Sequence, residues 1–281
     1  MTDRALENFL LRVRNDRGLD LTGYKDSFLL RRLRSRFRVL EIDNLDEYCY
    51  LLEKNPAEYA KLIDVLAINV TEFFRDPSLW NLLSNRIIPD LLEARKESRA
   101  RTIRFLSAGG ASGEEAYSIA ISMCEALEGK SGDFSASVML VDIDPDCILK
   151  AKAGIYHEDR LTNVPPHLLA KYFTREGPER YRVKPELRKM LTMSNLDLLT
   201  GRIPKFFDVI FCRNLLIYFT RDAHSDLFSK LYSSLLLDGF LILGRTETLL
   251  GASKTLFDTY DSRERVYRRK GIAYHSSTNK C

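Results

Sequence analysis

Hydrophobic periodicity changes character once along this 281-residue chain, near residue 100, and that change limits the fold more than any other feature. Before it, apolar residues recur at helical spacing. Leu29, Leu30, Leu33, Phe37 and Leu40 share one face of a helix, with Arg31, Arg34 and Arg38 largely opposite. A second amphipathic stretch covers residues 45–66, opened by Asn44 as N-cap with Glu47 three residues on. No strand-like run precedes residue 100. Beyond it, short apolar runs alternate with helical segments: 103–108 leads to a helix over 114–127, 138–141 to one over 145–152, and 207–212 to one around 223–237, followed by 240–243. Such alternation predicts a mostly parallel sheet covered on both faces. The stretch 154–191 interrupts it, rich in Pro, Arg and Tyr, with 181–183 and 190–193 reading as short antiparallel strands. The expected organisation is an N-terminal helical domain over 1–75, an α/β domain over 76–270 carrying a small antiparallel insertion at about 155–192, and a disordered tail over 271–281.

Composition narrows the classes. Hydrophobic residues at 45% and charged residues at 29% are those of a globular protein, and the length suits one large domain with a small companion. No run approaches the ~20 apolar residues of a membrane helix. The opening Met1, Thr2, Asp3 and Arg4 lack the apolar centre of a signal peptide, so a cytoplasmic location is expected. Five cysteines (Cys49, Cys124, Cys147, Cys212, Cys281) are scattered without a CxxC pair, and the four histidines fall at no metal-ligand spacing. No metal is expected. A net charge of +4 is mild, yet Lys25 to Arg38 holds six basic residues against one acid, Asp26.

Three segments carry chemistry. The first, Leu106-Ser107-Ala108-Gly109-Gly110-Ala111-Ser112-Gly113-Glu114-Glu115, runs from a strand through a glycine turn into a helix, where the backbone can approach a ligand closely. Its spacing is not that of the GxGxxG fingerprint, and two glutamates where a pyrophosphate would dock repel a dinucleotide but welcome an ammonium; S-adenosylmethionine (SAM) suits it better than NAD. A tight connection without a ligand is the plainer alternative. The second is Asp142 at the end of the next strand, able to accept from both ribose hydroxyls; Asp144, just before Pro145, suits a helix N-cap. The third is Cys212-Arg213-Asn214 with the residues to Phe219, at the carboxyl end of a buried strand, where ligands bind in open α/β sheets. A structural hydrogen-bond network is its alternative.

Together with Asn69-Val70-Thr71-Glu72-Phe73-Phe74-Arg75-Asp76-Pro77, Ala151-Lys152-Ala153-Gly154-Ile155-Tyr156, Asn195-Leu196 and Leu243-Gly244-Arg245-Thr246-Glu247, these segments resemble, in order, the motifs of the CheR-type chemoreceptor glutamate O-methyltransferases. The resemblance covers roughly residues 1–268. It departs at Gly110-Ala111-Ser112, where the family usually has Cys-Ser-Thr, and at Arg245-Thr246-Glu247, where x-Ser-Glu is usual; the small residues and the Ser112 hydroxyl leave SAM binding intact. The resemblance implies a SAM-dependent methyltransferase with a Rossmann-like, mostly parallel sheet. It further implies that Asn69, Thr71 and Arg75 contact SAM, with Arg75 near its carboxylate, that Glu114 faces the ammonium and Asp142 the ribose, that Asn195 and Leu196 hold adenine, and that Cys212 and Arg213 line the pocket. Tyr218 would lie near the transferable methyl, and Arg213 and Tyr218 would orient the incoming oxygen. A packed aromatic is the alternative for Tyr218, a helix N-cap for Thr71.

The implied reaction yields glutamate methyl esters and S-adenosylhomocysteine, with no general base, because a carboxyl of pKa ~4.3 is already ionised at neutral pH. The implied partners are the glutamate-rich cytoplasmic helices of methyl-accepting chemoreceptors, which the basic face at Arg31, Arg34 and Arg38 would attract. A solvated face is the alternative; nucleic acid is not expected, since Phe28 and Phe37 lie on the apolar side. The expected protein is a monomer, near the membrane only through its receptor. A SAM-binding signalling adaptor, or a methyltransferase with another substrate, would share the pocket. Amino-methylating enzymes on this fold carry Asn/Asp-Pro-Pro-Tyr/Phe where this chain has Cys212-Arg213-Asn214-Leu215.

Overall fold

The computed structural model describes residues 3–66, 71–95, 101–128 and 134–271. Four helices come first: α1 (Asp3–Arg17), α2 (Asp26–Leu40), α3 (Leu45–Lys54) and α4 (Glu58–Leu66). Leu29, Leu33 and Phe37 of α2 are buried, as the periodicity requires, and Phe28 joins them. Asn44 caps α3 as predicted: its Oδ1 accepts from the Glu47 N–H at 2.9 Å while its amide donates to Glu47 at 2.8 Å. The single stretch expected over 45–66 is two helices. Pro56 lacks the N–H a continuous helix needs, and the chain turns there.

Helices over Pro77–Leu82 (α5) and Ile88–Arg95 (α6), joined by a π-helical turn, lead into the sheet. These went unassigned in the sequence because the apolar spacing slips across the turn. Strands β1 (Thr102–Ala108), β2 (Ser135–Asp142), β6 (Leu191–Asn195), β7 (Phe207–Cys212), β8 (Leu235–Leu243), β9 (Phe257–Asp261) and β10 (Val266–Arg269) form one seven-stranded sheet in the order β6-β2-β1-β7-β8-β10-β9. The first five are mutually parallel; β10 is antiparallel to both neighbours. Helices α7 (Glu114–Leu127), α8 (Pro145–Ala153) and α11 (Arg221–Ser234) follow β1, β2 and β7. Strand alternation divides the core. Ile210, Cys212, Leu241 and Leu243 pack with the N-terminal helices, whereas Val209, Phe211, Phe240 and Ile242 pack with α5, α6 and α7.

Between α8 and β6 lies a three-stranded antiparallel sheet, order β3-β5-β4, of β3 (Ile155–His157), β4 (Phe173–Arg175) and β5 (Arg180–Val183), with α9 (Pro166–Tyr172) between β3 and β4 and α10 (Pro185–Arg188) after β5. The expected antiparallel strand at 190–193 is instead β6, in parallel register with β2 through pairs such as Val138↔Leu191 and Asp142↔Asn195. A four-residue apolar run cannot specify its partner; the helix crossover before it does. The helix expected over 223–237 ends at Ser234, where Leu235 begins β8.

Candidate cofactor site

The parallel strands end around one cavity of ≈ 290 Å³, near the lower size of ligand sites. Its floor is the turn after β1. The Gly109 and Gly110 N–H groups donate to the Val141 carbonyl at 2.8 and 3.2 Å, and the Ala111 N–H donates to Asp142 Oδ2 at 2.8 Å. Gly110 is closely packed: a Cβ there would sit 2.5 Å from Ser107 Oγ and 3.0 Å from Leu140, so the cysteine usual in the family would need these two side chains to shift. Asp142, last in β2, also accepts the Asp144 N–H at 2.9 Å, and its burial pushes the carboxyl above its ordinary range. Each oxygen holds one backbone N–H and keeps a lone pair for a hydroxyl. Asp144 caps α8, accepting from the Asp146 N–H at 2.8 Å. Ile143, beside Asp142 in the lining, offers an apolar surface.

Which glutamate faces the cavity differs from expectation. Glu115 lines it, with Oε1 accepting from Ser107 Oγ at 2.7 Å and Oε2 3.2 Å from Arg213 Nη1. Glu114 is 1% exposed and absent from the lining; Ser112 Oγ donates to it at 2.8 Å, and burial raises its carboxyl. Consecutive helical residues point about 100° apart, so only one of the pair can look inward.

The opposite wall comes from the linker between α4 and α5. Thr71, Glu72 and Arg75 line the cavity. Thr71 caps no helix: α5 begins only at Pro77. Asn69 lies outside the described residues. The linker is tied to α7 by the Phe74 N–H donating to Ser118 Oγ at 3.0 Å, and to the end of β7 by Arg213. The Arg213 side chain is 3% exposed; its guanidinium is clamped between Asp76 and Glu115. Arg213 and Asn214 line the cavity, while Cys212 is fully buried in β7, its thiol pushed well above its usual value by that burial. Asn195 and Leu196 do not line the cavity. They sit beside it: the Asn195 amide donates to the Asp142 and Ile143 carbonyls at 3.0 and 2.8 Å, and the Leu196 N–H to Asp142 at 2.9 Å.

The segment bearing Tyr218 is held from two sides. Glu247, 4% exposed, accepts the Gly244 N–H at 2.7 Å and those of Asn214 and Leu216 at 2.8 Å each. From the helical domain, the Lys25 N–H donates to the Tyr218 carbonyl at 2.9 Å, Lys25 Nζ to the Ile217 carbonyl at 2.8 Å, and the Phe28 and Tyr218 rings lie 4.8 Å apart. Tyr218 lines the cavity half-buried; burial raises its hydroxyl, opposed by the charges of Arg32, Arg75 and Arg31. Leu19, Leu21, Tyr24, Ile63 and Leu66 complete the apolar side. Nothing in their sequence spacing joins them to the sheet, so only folding could reveal them.

Arg31, Arg34 and Arg38 are exposed on α2, and Arg34 and Arg38 border a surface groove with Phe37. Arg36 of the same run is engaged, giving two 2.7 Å hydrogen bonds to Glu58. Among the described residues, no group of His, Cys, Asp or Glu could hold a metal ion, and no helix is long and apolar enough to cross a membrane.

The chain is similar in sequence to known proteins. Residues 4–67 match the family model "CheR methyltransferase, all-alpha domain" and residues 69–266 match "CheR methyltransferase, SAM binding domain". A chemotaxis protein methyltransferase of Borreliella burgdorferi is 35% identical over 255 residues, 89% of this chain and 90% of the relative. The Salmonella typhimurium protein of the same name is 35% identical over 82% of this chain and 78% of its own length, and the Escherichia coli one 34% identical over 82% and 79%.

Proposed function

The chain belongs to the CheR methyltransferase family, and from that premise we propose that it methylates glutamate side chains of methyl-accepting chemoreceptors, using S-adenosylmethionine and forming methyl esters. The observation that carries the reading is the convergence, in one cavity at the parallel strand ends, of Asp142 and Glu115 opposite Arg75, with Tyr218 at the rim. These residues fit the cofactor's chemistry. Asp142 would accept from the ribose hydroxyls, Glu115 would meet the ammonium, Arg75 the carboxylate, and Ile143 the adenine face. Glu114 acts from behind the turn, and Asn195 and Leu196 keep the Asp142–Ile143 backbone in place. Thr71 belongs to the linker wall, and Cys212 supports Arg213 from within the core.

Bound S-adenosylmethionine supplies an electrophilic methyl on a sulfonium. The protein has little acid–base work to do, since the receptor carboxylate is ionised at neutral pH. Its contribution is alignment of the nucleophile and exclusion of water. Tyr218 at the rim is suited to orient the incoming oxygen. Arg213, committed to Asp76 and Glu115, shapes the pocket rather than reaching outward. Arg31, whose charge is felt at Tyr218, draws the receptor carboxylate inward, and Arg34 and Arg38 extend that positive surface along α2 toward an acidic receptor helix. The protein acts as a monomer from the cytoplasm and meets the membrane only through the receptor.

Incubation with methyl-labelled S-adenosylmethionine and receptor-bearing membranes tests the proposal. Base-labile label on the receptor is expected. Base-stable label points to another acceptor atom, and cofactor binding without any transfer to an adaptor; either refutes ester formation.

A further inference from the structure

Two side chains of the insertion that carries the small antiparallel sheet reach the segments that form the walls of the cofactor cavity. Tyr156 of β3 is 5% exposed, and its hydroxyl donates to the Ser112 carbonyl at 2.7 Å. Arg160, in the 3-10 turn Glu158–Leu161, donates through Nη1 to the Thr71 carbonyl at 2.9 Å. Ser112 directly follows the lining residues Gly109, Gly110 and Ala111, and Thr71 is itself in the lining. One short stretch of the insertion therefore grips both walls from outside.

The fit there is close. Gly113 sits at φ +98°, and a Cβ on it would lie 2.9 Å from Ala151 Cβ and 3.1 Å from the Tyr156 hydroxyl. Phe73, between the lining residues Glu72 and Arg75, is fully buried, its ring centred 4.9 Å from Tyr156 and 5.4 Å from Phe173 of β4. The Ser112 carbonyl precedes the N-cap Gly113 and so lies outside the hydrogen-bond ladder of α7. Tyr156 supplies the donor that the helix cannot.

We infer that Tyr156 and Arg160 are positioning residues for the cofactor, clamping the glycine turn and the 71–75 linker at the separation its binding requires. The inference rests on reading the cavity as the cofactor site. Neither side chain lines the cavity; each acts through a carbonyl of the wall. Loss of either bond leaves a carbonyl without its donor and lets one wall drift, so ordering that wall falls to the ligand. Affinity is then lost while the aligned, saturated complex reacts as before.

The test is calorimetric titration of S-adenosylhomocysteine into the parent, Tyr156→Phe, Arg160→Ala and Arg160→Lys, with Tm, KM for S-adenosylmethionine and kcat measured on each. Tyr156→Phe is expected to weaken binding about 10-fold and Arg160→Ala about 3-fold, the scale of one hydrogen bond. KM should rise in the same ratio, with kcat within about twofold, and Arg160→Lys should restore most of the affinity because an ammonium can still donate. A merely structural role would lower Tm and leave Kd unmoved. Binding within twofold of the parent in both Tyr156→Phe and Arg160→Ala overturns the inference. If Tyr156→Phe does not fold, the exposed Arg160 decides alone. A parent that binds no S-adenosylhomocysteine refutes the cofactor-site reading itself, and the inference with it.

Discussion

Replacing Glu247 by glutamine should loosen the segment that carries Arg213, Asn214 and Tyr218. The carboxylate accepts three backbone N–H groups, two at Oε2 and one at Oε1, all at 2.7–2.8 Å, with the Gly244 and Leu216 bonds buried and the Asn214 bond partly so. Glutamine offers one carbonyl oxygen. Placed at the Oε2 position it keeps the Gly244 and Asn214 bonds, but its amide then confronts the Leu216 N–H, donor against donor. Hydrogen bonds to charged groups contribute roughly 1.5–3 kcal/mol and neutral ones about 0.5–1.5, so the two retained bonds weaken by about 1 kcal/mol each and the third is lost outright. The sum is about 3–5 kcal/mol. Asn214 sits at φ +58°, in the left-handed region that asparagine tolerates better than most non-glycine residues. The urea midpoint at pH 7.5 should fall correspondingly, and kcat at saturating S-adenosylmethionine should drop more than tenfold as Tyr218 loses its register. A stability loss below about 1 kcal/mol with unchanged turnover would show that the carboxylate does not anchor this segment.

The two adjacent glutamates should separate cleanly. Glu115→Gln is expected to weaken S-adenosylhomocysteine about tenfold by calorimetry, the scale of a lost charge-assisted hydrogen bond, and Glu114→Gln to leave it within about twofold. Glu114 should also show a pH signature. Burial raises its folded pKa, so the native state holds a proton the unfolded chain has released; stability falls as pH climbs from the ordinary carboxylate range through the raised value, and the deficit persists above it. Glu114→Gln should therefore melt higher than the parent at pH 7.5, with the advantage gone at pH values below the ordinary carboxylate range; an equal difference at both would refute the cause. Arg34→Glu with Arg38→Glu should raise KM for the receptor about tenfold at low salt and less at high salt, leaving cofactor Kd unchanged, because exposed charges act through a screened field. Tyr218→Phe should reduce kcat with saturating cofactor; full turnover would remove any role for the hydroxyl.

Much of the architecture was legible in residue order. Period-3.6 spacing in α2 told which side of that helix is buried, the Asn44–Glu47 pair marked a helix start, and the glycine turn before Glu114 marked the start of α7. These are local properties, set by side-chain size, backbone freedom and capping within a few residues. The strand ends bearing Gly109, Asp142 and Arg213 were likewise marked, because a parallel sheet brings its carboxyl ends to one edge wherever the crossovers run.

What the order of residues could not decide was every choice between near-equivalent neighbours or distant segments. Residues 190–193 have the makings of a strand for either sheet, and only the crossover through the small sheet delivers them to β2 as β6. Glu114 and Glu115 are chemically identical, and the phase of α7 against β1 alone turns Glu115 toward the cavity. Leu21, Tyr24, Ile63 and Leu66 reach the same cavity because the helical domain packs its apolar face on the sheet. Burial of that face is non-directional, so composition can predict that it happens but not which residues it leaves at the rim. Local chemistry thus determined the elements and the strand-end positions of the site, and tertiary packing decided which side chains close it.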